Sequence, residues 1–315
     1  MKERDIGGIT VSAIGLGCVG MSAEYGSLRD WNESDSLATL EKAFDLGISF
    51  YDTADSYGPF TNEELLAKFF KNKRENVVIS TKAGLVLDGE SGRFVGNGTP
   101  EHLKAACTDS LQRLRIDAID LYFLHRVDAD VPIEESWGAL LELQSEGYVK
   151  ALGACEVDVT QLNTIQRMGR VTAVQSEFSL WTRDALQDVI PWCVANGAGF
   201  VPFAPLGRGF LTGTITSSNF DADDIRVNNP RFAQEAIAAN QAIVNGVRAI
   251  AERRNATPAQ VAIAWILAQG NSIVPIPGTK RIKYLEENID AVSLELANGD
   301  LTFLEQLPKA VGSRY

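Results

Sequence analysis

Four side chains suited to moving a proton stand in three short segments. Asp52 and Tyr57 lie in FYDTADSYG, Lys82 in VVISTKAG, and His125 in LYFLH. Each segment sits at or just after the end of an apolar, strand-like run. A carboxylate, a phenol, an ammonium and an imidazole can together deliver a proton to a carbonyl oxygen as a hydride reaches its carbon. A Tyr alone is a poor acid near neutrality, with a pKa of about 10. A neighbouring Lys⁺ favours the phenolate and draws that value towards the working pH. Asp52 would hold the ammonium, and His125 would orient the carbonyl.

The elements that position these residues must bring distant segments together. The chain has 315 residues, 45% hydrophobic, enough for one large barrel or two smaller domains. Strand-like runs recur at 13–17, 48–52, 77–82, 118–125, 149–155, 173–178, 199–205 and 273–278. Several are near-continuously apolar, as parallel strands buried on both faces require. Helical spacing fills the gaps. Residues 35–46 carry Leu37, Leu40 and Phe44, with Gly47 as a stop. Thr99-Pro100 and Thr257-Pro258 read as N-cap and first helical residue, and Gln260 completes a capping-box spacing.

Eight such alternations predict a (β/α)8 TIM barrel, an α/β fold of about 250 residues plus insertions. The expected organisation is a single barrel domain over 1–315, with residues 1–12 as a hairpin closing its bottom. The polar stretch 211–230 is expected as a long loop after the seventh strand, lying over cofactor or substrate. Barrel active sites form at the C-terminal ends of the strands. Asp52, Lys82 and His125 end the second, third and fourth strands, so all four residues fall on one rim.

Lys plus Arg total 29 against 41 Asp plus Glu, a net charge of −12, which disfavours nucleic acid or an anionic membrane as partner. MKERDIGG has no apolar h-region, and no apolar run is long enough to span a bilayer. Cys18, Cys107, Cys155 and Cys193 lack CxxC spacing, which argues against disulfides and structural zinc and for a reducing cytoplasm. The two histidines and four cysteines form no ligand cluster, so no metal is expected.

Gly15, Gly17 and Gly20 form a literal GxGxxG, with Asp35 in reach of the acidic position. A dinucleotide site of that kind needs a helix opening at the glycines. The chain instead continues MSAEYGSLRDWNES, and the first helix is expected near Ser34.

Further motifs run in order along the chain: LGCVGMS, LHRVD, AVQSEFSLW, APLGRGFLTG and IPGTKRIKYLEEN. With the four site residues, these resemble the aldo-keto reductase family over residues 3–290, most closely its bacterial, plant and fungal branch of NADPH-linked carbonyl reductases. The resemblance implies an NADP-dependent oxidoreductase acting on small carbonyl compounds. Asp52, Tyr57, Lys82 and His125 would be its catalytic tetrad. For the cofactor, Gly17 and Cys18 would approach the nicotinamide ribose. Gln175 would bind the carboxamide, and Phe203 would stack on the ring. Ala204, Pro205, Leu206, Gly207 and Gly209 would present amides to pyrophosphate. Gly278, Thr279 and Lys280 would hold the 2′-phosphate; Tyr284, Glu287 and Asn288 follow on the next helix, where Glu287 and Asn288 would grip adenine.

Two positions depart from the family pattern. Cys155-Glu156 stands where relatives carry Ser-Glu or Ser-Asn, which puts a weaker donor and an oxidisable thiol beside the nicotinamide. Phe203 stands where relatives often have Tyr. The resemblance also leaves open an NADPH-binding regulatory role, as in channel subunits, and an alcohol or sugar dehydrogenase working oxidatively. Tyr25, Trp31, Phe60, Arg126 and Trp181 are candidate pocket walls, which suggest an aromatic or otherwise apolar carbonyl.

Overall fold

The computed structural model describes residues 1–22, 25–26, 31–89 and 93–314. The chain opens with an antiparallel hairpin, β1 (Glu3–Ile6) and β2 (Ile9–Ser12). Seven parallel strands then form one sheet: β3 (Leu16–Gly17), β4 (Phe50–Asp52), β5 (Val78–Ala83), β8 (Leu121–Leu124), β9 (Leu152–Cys155), β10 (Ala173–Glu177) and β11 (Gly199–Phe203). They neighbour one another in that order. A short antiparallel pair, β6 (Leu85–Leu87) and β7 (Phe94–Gly96), follows β5. The sequence pattern does not reveal this pair, because both strands are very short and largely exposed, with no alternation.

The eighth run does not form a regular strand. It closes the barrel as a hydrogen-bonded seam, bridging Ile273 to Phe200 and Gly278 to Gly17. Val274 and Ile276 donate to the carbonyls of Phe200 and Pro202 at 2.9 and 3.1 Å. On the other side the carbonyls of Pro275 and Pro277 accept from Gly15 and Gly17 at 2.9 and 3.4 Å. Proline lacks an N–H, so this side of the ladder has acceptors only. A Cβ on Gly17 would lie 2.7 Å from the Ile276 carbonyl oxygen. The glycines of the apparent GxGxxG therefore allow the seam to close. No long helix opens there, and α1 (Glu33–Asp45) begins well downstream.

The other helices are α2 (Thr61–Phe70), α3 (Pro100–Leu114), α4 (Ile133–Ser145), α5 (Val159–Met168), α6 (Val189–Asn196), α7 (Gln234–Arg254), α8 (Pro258–Leu267), α9 (Ile282–Asp290) and α10 (Asn298–Glu305). Thr99 caps α3 and Thr257 caps α8, the latter in a reciprocal capping box with Gln260. Gly47, with φ 88°, turns the chain after α1. Among the described residues, no helix is long and apolar enough to cross a membrane.

Strand alternation divides the core. Phe50, Leu121, Phe123, Val201, Val274 and Ile276 pack in the barrel interior with Ile6 of the hairpin. Tyr51, Tyr122 and Leu124 face the helices instead. Ile6 lies where a Cβ on Gly199, the first residue of β11, would stand. The hairpin thus packs against the N-terminal strand ends, opposite the rim that bears Asp52, Lys82 and His125. Each large interior side chain contributes roughly 1.5–3 kcal/mol by leaving water.

Candidate active site

Asp52 ends β4 and pairs in register with Ser80 of β5. Lys82 follows two residues later, on the same inward face. Its ammonium has three hydrogens and three acceptors: Asp52 Oδ2 at 2.7 Å, the Thr53 carbonyl at 2.7 Å and Tyr57 Oη at 3.3 Å. Asp52 Oδ1 accepts from Ser80 Oγ at 2.7 Å and from Gln175 Nε2 at 2.9 Å. This buried ion pair is therefore fully hydrogen-bonded, which desolvated charges require. Sequence reading missed Ser80, although its position two before Lys82 already places both on one face.

Tyr57 reaches the rim from the loop after β4 and is half-buried. Its ring meets the His125 imidazole edge-on, centres 5.9 Å apart, and Lys82 Nζ lies 4.9 Å from the phenol ring centre. His125 follows β8, with Nδ1 facing Ser56 Oγ at 3.4 Å. The structure thus brings all four expected side chains into one cluster at the C-terminal strand ends.

Burial dominates the protonation of this cluster. It pushes the Tyr57 phenol up to about 12, with Lys82 pulling down and Asp52 pushing up. The expectation that Lys82 brings the phenol towards neutrality is met in sign but outweighed by desolvation. Burial would lower Lys82, but the Asp52 carboxylate and Tyr57 hold it above its ordinary value. Burial, then the charges of Lys82 and Arg126, drive His125 well below the usual imidazole range. At neutral pH the cluster is a charged Lys, a protonated phenol and a neutral imidazole.

The residues expected at the cofactor spread along the same rim. Phe203 ends β11 half-buried, and the loop after it is strained, with φ 48° at Ala204 and 54° at Arg208. Pro205, Leu206 and Gly207 form its first turn, and Gly207 packs where a Cβ would meet the Trp181 ring at 2.7 Å. Among the described residues, the Leu206 N–H has no acceptor. Gly209, with φ 93°, opens the next turn. Beyond the seam, Gly278 is exposed and Thr279 Oγ1 accepts from Arg281 N at 3.1 Å. Lys280 Nζ donates to the Tyr25 carbonyl at 3.5 Å. Tyr284, Glu287 and Asn288 share one face of α9, at spacings of three and four.

The first turn of α9 has no acidic residue, and Lys280, Arg281 and Lys283 surround it. Cations beside the positive end of a helix are unfavourable unless an anion joins them. This end of the rim therefore fits a phosphate-bearing cofactor.

Several of the expected cofactor residues also have partners within the fold. Cys18 is wholly buried: its N–H donates to Asp52 O at 2.9 Å, and its carbonyl accepts from Asn62 at 2.8 Å. Its polar groups are committed to the fold, as Gly17 is to the seam. Glu156 uses both carboxylate oxygens, accepting from Glu177 N and from Arg314, each at 2.7 Å, so it braces the ends of β9 and β10. Gln175 gives one of its two amide hydrogens to Asp52 at 2.9 Å. Burial also pushes the Cys155 thiol up to about 12, so it is a neutral thiol and not a reactive thiolate.

Among the pocket-wall candidates, Trp181 belongs to the core, stacked on Phe210 at 4.2 Å. Phe60 lies under Arg113 of α3, outside the barrel. Trp31 donates to the Met21 carbonyl. Tyr25 lies beneath the Arg226 guanidinium, 5.4 Å away. Asp224 holds both Arg226 and the Gly26 N–H, which ties the long loop after β11 across to the loop after β3.

A family model described as the aldo/keto reductase family matches residues 13–308. A curated relative, probable aldo-keto reductase 1 of Glycine max, is 40% identical over 312 residues, covering 98% of this chain and 89% of the relative. Among solved structures, a glycerol dehydrogenase from Gluconobacter oxydans superposes with TM-score 0.86 at 26% identity, over 96% of this chain and 94% of that one. An aldo/keto reductase from Klebsiella pneumoniae, in complex with NADP and acetate, matches with TM-score 0.75 at 22% identity, over 100% and 99% of the two chains. By sequence over nearly its whole length, and by the barrel it folds into, this chain is a member of the aldo/keto reductase family of oxidoreductases.

Proposed function

We propose that this protein reduces aldehydes or ketones to alcohols with NADPH, using Tyr57 as the proton donor. The observation that carries the reading is the shared ammonium: Lys82 Nζ contacts Asp52 at 2.7 Å and Tyr57 Oη at 3.3 Å. Because Tyr57 Oη accepts from Lys82, its own hydrogen points elsewhere, free for a carbonyl oxygen. When bound, NADPH supplies the hydride. Gln175, Phe203, the loop 204–209, Gly278, Thr279, Lys280 and the face of α9 bearing Tyr284, Glu287 and Asn288 would hold it. Lys280 at the N-terminus of α9 would take the 2′-phosphate.

Tyr57 begins as a phenol, since burial holds its pKa near 12. As negative charge grows on the substrate oxygen, the proton moves from Oη to that oxygen. The phenolate left behind sits against Lys82⁺, whose charge is fixed in place before the reaction. His125, kept neutral by burial and by Lys82 and Arg126, presents one N–H to the same oxygen. In the tautomer with its hydrogen on Nε2, Ser56 Oγ donates to Nδ1 at 3.4 Å and Nε2–H is the donor to the substrate oxygen.

The test is NADPH oxidation by the purified protein over a panel of aromatic, aliphatic and sugar aldehydes. Turnover should fall about a thousandfold in Tyr57→Phe, with NADPH binding retained. Wild-type turnover in that variant removes Tyr57 from the mechanism. The likeness to a glycerol dehydrogenase supports a second reading, in which the same residues run alcohol oxidation. Rates measured in both directions separate the two.

A further inference from the structure

Arg126 follows His125 at the end of β8 and is half-buried. Its side chain folds back over the rim. Nη1 donates to the His125 carbonyl at 2.6 Å, and the guanidinium carbon lies 5.9 Å from the centre of the Phe203 ring, at the end of β11. Its positive charge also reaches His125 and Cys155, at the ends of β8 and β9. The guanidinium therefore stands over the mouth and not on the outer wall.

Among the described residues, no carboxylate pairs with it. Three acids near the rim are committed elsewhere: Asp52 to Lys82, Glu156 to Arg314, and Glu177 to Arg208 and Arg231. A partly desolvated cation without a counter-charge is unfavourable. The chain carries a net charge of −12, yet none of its described acidic residues pairs with this guanidinium. The planar fork of a guanidinium matches the paired oxygens of a carboxylate or phosphate.

We propose that Arg126 selects carbonyl substrates that carry an anionic group, and holds that group beside His125 while the carbonyl oxygen lies against Tyr57. This rests on the reductase reading above and adds the substrate class. It replaces the apolar substrate suggested by Trp31, Phe60 and Trp181, since Phe60 and Trp181 pack away from the mouth and Trp31 is bonded to Met21.

The experiment compares kcat/KM for para-formylbenzoate, para-formylphenyl phosphate and the neutral methyl ester of para-formylbenzoate, at saturating NADPH. Wild type should favour at least one anion over the ester by about tenfold or more, chiefly through KM. That advantage should shrink as salt is raised. Arg126→Met should lower the anion-to-ester ratio about tenfold, and Arg126→Lys should keep part of it. The better of the two anions identifies the group the site takes. A wild-type ratio near one, or an Arg126→Met variant that loses all three substrates alike, overturns the proposal. If wild type turns over none of them, the reductase reading is decided separately, on the wider aldehyde panel given above. Calorimetric binding of para-hydroxymethylbenzoate then decides: binding weakened tenfold by Arg126→Met supports the anion site, and equal or absent binding overturns it.

Discussion

Two buried ionic clusters lie on opposite faces of β5, one residue apart. Inward, Ser80 and Lys82 meet Asp52 and Tyr57. Outward, Thr81 donates to Glu63 of α2 at 2.6 Å, and Arg113 of α3 holds the other oxygen of that carboxylate at 2.6 Å. Both clusters set a carboxylate against a cation away from water. The inner one ends on a half-exposed phenol at the rim, whereas the outer one is closed in by two helices. Beside the outer cluster, burial and then Glu63 push Asp55 up to about 7. Asp55 Oδ1 and the Tyr122 hydroxyl also find no hydrogen-bond partner among the described residues. By titration alone Asp55 is the more catalytic-looking group. Access and partner geometry favour the proposed role of Tyr57, because a proton donor must reach the substrate.

The comparison breaks most sharply at the two cations and their acids. Lys82→Met should abolish measurable turnover and destabilise the fold by about 3–5 kcal/mol, since Asp52 is left charged and buried. Glu63→Gln should destabilise by about 1–3 kcal/mol while kcat stays within a few-fold of wild type. Urea titrations beside steady-state rates read both. If Glu63→Gln loses turnover as completely as Lys82→Met, the two faces are not functionally distinct.

A subtler difference lies in pH. The folded pKa of Asp55, about 7, stands above its ordinary 3.8. Between those values the folded protein keeps a proton that the unfolded chain releases, so this group's stabilising effect is complete below about pH 4 and declines as pH rises through about 7. Asp55→Asn should flatten that decline. Relative to wild type it should gain about 2–4 kcal/mol between pH 4 and pH 7.5. Unfolding midpoints at the two pH values test this, and parallel curves for the two proteins would contradict it.

The smallest expected effect lies at the far end of the rim. Lys280→Met should raise KM for NADPH about tenfold and leave KM for NADH nearly unchanged. An equal change for both cofactors would detach Lys280 from the 2′-phosphate.

Much of this was legible in the chain. Near-continuous apolar runs alternating with helical spacing suit parallel strands between helix layers, so the barrel was legible from patterning. Residues ending successive barrel strands must share a rim, which brought Asp52, Lys82 and His125 together before any coordinates. Thr99 and Thr257 act as caps because their chemistry is local. Period-two spacing could also have revealed Ser80 beside Lys82.

Tertiary structure decided what depends on distant neighbours. Pro275 and Pro277 turned the eighth strand into a seam, and Gly15 and Gly17 serve that closure, a role visible only once residue 276 is seen against residue 17. Cys18 and Glu156 were claimed by Asn62 and Arg314, residues remote in sequence. The pKa of Tyr57 turned on how much water the fold removes, which no local motif encodes. Sequence specifies periodicity and local capping because both depend on near neighbours. Desolvation and the competition for each polar atom depend on the whole packed chain, and so only the fold sets them.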